Sequence, residues 1–206
     1  MCYNAEVSLN TFIFGCVSAL LLLINGYKTY HILIIILSFT SIQFLEYLTW
    51  KNINNKEINR YLSIIGLIII IIQILLINYF LPIKKYRNIL LTILIIGIIL
   101  FIIFELKNVN FKMEKGENGH LIWYWLDLPI IWVYLGILAY LIPTYFSNNI
   151  NMFIYVYISV IISLYFYYKY KTWGSMWCYL SNILWIYLII RYIIIEKIIL
   201  RLIKFF

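Results

Sequence analysis

Apolar blocks of about 20 residues recur from the start of this chain to its end, separated by short polar turns. That length matches the hydrocarbon core of a bilayer, about 30 Å at 1.5 Å per helical residue. Inside hydrocarbon every backbone N–H and C=O must find its partner within its own segment, so such blocks have to be helices. A barrel would need strands of about ten residues alternating in polarity, and these blocks do not alternate. Composition agrees: 65% of the 206 residues are hydrophobic, 12% are charged and the mean hydropathy is +0.95. Soluble domains hold roughly 45 to 50% apolar residues, so a water-soluble fold is excluded.

Seven spans are predicted: Leu9 to Asn25, Ile32 to Trp50, Tyr61 to Leu81, Asn88 to Leu106, Leu121 to Ile142, Ile150 to Tyr168, and Ser175 to Ile195. The expected fold is all-α, a polytopic integral membrane bundle over residues 1–195 followed by a basic amphipathic C-terminal tail over 196–206. In that tail Lys197, Arg201 and Lys204 repeat at i, i+4 and i+7 among Ile, Leu and Phe, which suits a helix lying on anionic headgroups; a continuation of span seven with snorkelling cations fits equally. Met1 to Asn10 lack the basic start of a secretory signal, so the first block is expected to be a retained span.

The net charge is +8, from 16 Lys and Arg against 8 Asp and Glu. Because the cations sit in turns between apolar blocks, membrane lipids are the expected partners and nucleic acid is not. Counting Lys and Arg on the two sides of a seven-span topology gives eight against eight, so charge does not orient the chain. The N-terminus is placed outside the cytoplasm because its first ten residues carry Glu6 and no cation while the tail is basic.

Span parity then sorts the polar residues. Gln43 and Glu46 late in span two, Asp127 early in span five, and Trp177, Cys178, Ser181 and Asn182 early in span seven all fall on the N-terminal side with Cys2. Ionisable groups inside a span are costly and face a bundle interior or a wet cavity, so a one-sided polar pocket is expected there. Bland roles compete at each position. Glu46 also fits a neutral hydrogen-bonded helix link, Asp127 before Pro129 a helix cap at headgroup depth, Glu105 beside Lys107 a solvated boundary charge, and the Trp and Tyr enrichment an interfacial belt rather than a cation cage. His31 and His120 fall on opposite sides, which argues against a shared metal site. No cofactor and no oligomeric state can be read.

Met1-Cys2-Tyr3-Asn4-Ala5-Glu6-Val7-Ser8, Phe39 to Glu46, and Gly174-Ser175-Met176-Trp177-Cys178-Tyr179-Leu180-Ser181-Asn182 resemble, in that order, an uncharacterised polytopic membrane family of bacteria and of large DNA viruses and their protist hosts. The resemblance implies no activity. It singles out Cys2, Gln43, Glu46, Trp177 and Cys178. Parity leaves Cys2 and Cys178 open to a disulfide, to metal binding or to nucleophilic chemistry, with structural roles favoured.

Three functions stay open: binding or conducting a small solute, ion or proton through the polar pocket; a membrane-embedded enzyme on a lipid or acyl substrate; and a structural or assembly role. Retinal proteins are set aside for want of a Lys in span seven, and ceramidase-type hydrolases for having two His where three are needed.

Overall fold

The computed structural model describes residues 4–24, 30–147 and 150–191. Among them are seven helices: α1 (Ala5–Ile24), α2 (Tyr30–Lys51), α3 (Lys56–Tyr79), α4 (Lys84–Phe104), α5 (Ile130–Phe146), α6 (Ile150–Tyr167) and α7 (Trp173–Ile189). The protein is thus all-α, and α1, α2, α3, α4 and α6 are each long and apolar enough to cross a membrane. Helices α5 and α7 have 17 residues each. The predicted tail over 196–206 lies outside the described residues.

Contacts at both ends show the helices running alternately up and down. At one end Thr49 of α2 and Asn59 of α3 meet Met113 of the α4–α5 connection, and Asn118 there bonds Thr172 before α7. At the other, His31 of α2 stacks on Phe80 beyond α3, and Tyr86 of α4 stacks on Phe146 of α5. Helices α1, α2, α3, α5, α6 and α7 pack successively into a ring that closes through α1 and α7, and α4 lies outside it against α3 and α5. Phe101 is the one buried residue of α4.

Helices in lipid associate through close packing of small residues and through hydrogen bonds rather than through the hydrophobic effect. Helix α1 carries Thr11, Gly15 and Ala19 at four-residue spacing, one stripe of its surface. Gly15 is required there: a Cβ would fall 2.5 Å from Thr40 Oγ1 and Cγ2 of α2. Pro143 inside α5 has no N–H for the Ala139 carbonyl four residues earlier. Asn78 of α3 repairs the gap by donating its Nδ2 to Ala139 O at 3.0 Å.

One predicted boundary is wrong. Residues 121–129, read as the first turns of span five, are not α-helical. Leu121–Trp123 pairs antiparallel with Met113–Lys115, a short 3-10 turn covers Tyr124–Leu126, and α5 starts only at Ile130 after Pro129. Proline drives the residue before it out of the helical region, so Leu128 cannot belong to the helix. The resulting hairpin turns at Gly119, whose φ is 82°. It is folded into the end of the bundle, with Met113, Leu121, Trp123 and Trp125 buried in one cluster with α2, α3 and Cys178 of α7.

Candidate functional site

The hairpin end is where sequence parity puts the distinctive polar residues, and several do converge. Gln43, Glu46 and Thr49 follow a three-residue spacing along α2 and are all buried. Thr11 of α1 donates its Oγ1 proton to Gln43 Oε1 at 2.9 Å. Across from them α7 brings Cys178, buried and within electrostatic reach of Glu46. Cys178 is a free thiol, and Cys2, its proposed disulfide partner, lies outside the described residues. Ser181 and Asn182 are also buried but turn back on their own helix: Ser181 Oγ donates to the Cys178 carbonyl and Asn182 Nδ2 to that of Tyr179 at 2.8 Å.

Asp127 does not belong to this group. It is exposed in the loop before α5 and pairs with Lys171 Nζ at 2.6 Å, tying that loop to the α6–α7 turn. The correction has the same cause as the boundary error: with α5 starting at Ile130, Asp127 lies in the loop before the helix rather than within it. Trp177 faces elsewhere, donating Nε1 to Ser159 Oγ of α6 at 3.1 Å and presenting its ring to Tyr140 of α5, with centroids 4.8 Å apart.

The hairpin covers this polar end like a stopper. Trp123 and Trp125 stack at 4.9 Å, and Trp125 sits against Gly66 of α3, where a Cβ would come within 2.8 Å of the ring. Asn59 holds the first strand as a neighbouring strand would: Met113 N–H donates to Asn59 Oδ1 at 2.8 Å, and Asn59 Nδ2 donates to Met113 O at 2.9 Å. His120 is buried at the turn with its ring edge-on to Tyr167, and burial lowers its pKa to about 4. Sequence reading overlooked a second polar link in mid-bundle. Tyr140 Oη donates to Gln73 Oε1 at 2.9 Å, and Gln73 Nε2 donates to Ser38 O at 2.9 Å, joining α5, α3 and α2. Gln73 is the one polar side chain between Ser63 and Asn78, and that isolation was the available signal.

A cavity of about 300 Å³ opens sideways between α3, α4 and α5. Its walls are aliphatic and aromatic, from Trp123, Trp173 and Cys178 at the hairpin end to Asn78 and Pro143 at the far end. Gly97 of α4 and Gly136 of α5 line it, and neither has any atom within 4 Å of where a Cβ would stand. Its volume is at the lower end of the range for small-ligand sites. Trp177 and Cys178 are its links to the residues singled out from sequence. Among the described residues no three His, Cys, Asp or Glu come together as a metal site. Comparison of the chain with family models, with curated proteins and with solved structures finds no match.

Proposed function

We propose that this is a multi-pass membrane protein in which all seven helices cross the bilayer, and that it holds an apolar, lipid-like ligand in the groove between α3, α4 and α5. The observation that carries the reading is the groove itself: an open, apolar slot between three helices, floored by two glycines and walled on one side by a helix with one buried residue. Such a slot takes its ligand directly from the membrane. The alternating helix directions support seven crossings, and 17 residues give α5 and α7 about 26 Å each, close to the hydrocarbon thickness. With the N-terminus outside, the α3–α4 turn lies in the cytoplasmic leaflet.

The test is groove filling. Wild-type protein released from detergent into the gas phase retains a lipid-mass adduct, and a Gly97→Leu, Gly136→Leu double variant does not. Equal retention by both would remove the groove from the account. A second reading, binding of an ion or proton at the hairpin end, is favoured by the complete burial of Glu46 beside Cys178. Glu46→Gln in proteoliposomes tests it: the reading expects pH-dependent ion flux in the wild type and its loss in the variant, and absence of flux from both ends it.

A further inference from the structure

We propose that the occupant of the groove is an anionic phospholipid, its phosphate held at the far end by Arg87 with Lys84 and Lys85. The proposal rests on the lateral-groove reading and adds the chemistry of the headgroup. On α4 the groove is lined by Leu90, Ile93, Leu94, Gly97, Ile98 and Phe101, a stripe at helical spacing. Arg87 precedes Leu90 by three residues, so the same stripe runs out of the groove onto a guanidinium. Tyr86, stacked on Phe146 with ring centroids 4.3 Å apart, fixes this first turn of α4 against the end of α5, the opposite wall. Arg87 is half-buried there, while Lys84 and Lys85 are exposed.

Charge distribution supplies the second argument. The described acids are Glu6, Glu46, Glu57, Glu105, Glu114, Glu117 and Asp127, and each lies at the start of α1 or α3, the end of α2 or α4, or in the α4–α5 connection. All of these places are at the hairpin end. The two ion pairs among the described residues, Lys112 with Glu114 and Lys171 with Asp127, are there too. The α3–α4 turn therefore presents three cations where no described carboxylate stands near. An arginine partly covered by its neighbours favours an anionic partner, and its planar fork matches a phosphate with two parallel hydrogen bonds. Dimensions agree: from Leu90 to Phe101 the groove follows α4 for about 17 Å, near the roughly 15 Å of one leaflet's hydrocarbon. A tail whose headgroup sits at Arg87 thus reaches the aromatic end of the slot.

The test titrates the full chain in detergent micelles with phosphatidylglycerol or phosphatidylcholine carrying brominated tails, and reads quenching of the groove tryptophans Trp123, Trp132, Trp173 and Trp177. The wild type is expected to prefer phosphatidylglycerol on the order of a hundredfold, about fivefold for each cation near the phosphate. Arg87→Gln should lose roughly fivefold of that preference, and a Lys84→Gln, Lys85→Gln, Arg87→Gln variant nearly all of it, with both lipids still quenching to the same plateau. Equal affinities in the wild type, or a preference unchanged by the triple variant, overturn the headgroup assignment and leave the groove standing. Absence of saturable quenching by either lipid, or quenching undiminished in the Gly97→Leu, Gly136→Leu variant, overturns the groove and this inference together.

Discussion

Asn78 and Pro143 face each other at the far end of the groove, and their relation makes a quantitative prediction. Pro143 leaves the Ala139 carbonyl without its helical donor, and Asn78 supplies the missing proton at 3.0 Å. Replacing Asn78 by Leu keeps the branching at Cγ and strands that carbonyl in an apolar surround. An unsatisfied buried acceptor costs about 1 to 3 kcal/mol, whereas side-chain hydrogen bonds between membrane helices average about 0.6 kcal/mol. The higher range applies because Asn78 Nδ2 takes the place of the helical donor on this oxygen, so a loss of about 1.5 kcal/mol is expected. Pro143→Ala gives position 143 an N–H and restores the donor from within α5. In that background Asn78→Leu should cost only its bond to the Ile74 carbonyl, a few tenths of a kcal/mol. The double-mutant cycle, measured by reversible unfolding in mixed micelles, should show a coupling of about 1 kcal/mol. Additivity within about 0.3 to 0.5 kcal/mol would refute the repair of the proline gap by Asn78.

Three further predictions concern packing and the hairpin. Gly15→Ala should destabilise the bundle by about 1 to 3 kcal/mol through the clash with Thr40, and Thr40→Ala in the same chain should recover most of it; a pair of additive losses contradicts the tight α1–α2 approach. Asn59→Ala should raise amide exchange at residues 113–123 while leaving the α5 and α6 amides protected, since it removes both bonds to the Met113 backbone. His120 is held neutral with a pKa of about 4 against 6.5 in the unfolded chain, so its burial stabilises the hairpin fully above about pH 6.5 and progressively less as pH falls toward 4. Hydrogen exchange of the hairpin across that window should show the loss in the wild type and a flat profile in His120→Gln.

The helices were legible because unbroken apolar blocks of about 20 residues are too long for strands and do not alternate in polarity. Parity was legible because the helices alternate in direction, so that Gln43, Glu46 and Cys178 come to one end from distant parts of the sequence. The hairpin was missed because Leu121 to Leu128 is as apolar as a span. Its signals were nevertheless present in the Asn118-Gly119 pair and in Pro129 behind it. Asp127 followed that error out of the predicted pocket. The groove was not legible at all. It exists because α4 stands outside the ring, and because Gly97 and Gly136 leave its walls bare, neither of which is encoded in a local pattern.

The central claim is that lipid tails lodge between α3, α4 and α5. Photolysis of a phospholipid carrying a diazirine in its acyl chain, bound to the purified protein and mapped by peptide mass spectrometry, tests it most directly. Labels concentrated on groove residues such as Ile71, Leu94 and Ile137 are predicted. Labels spread evenly over outward-facing positions such as Ile96, Ile103 and Ile161 would contradict it.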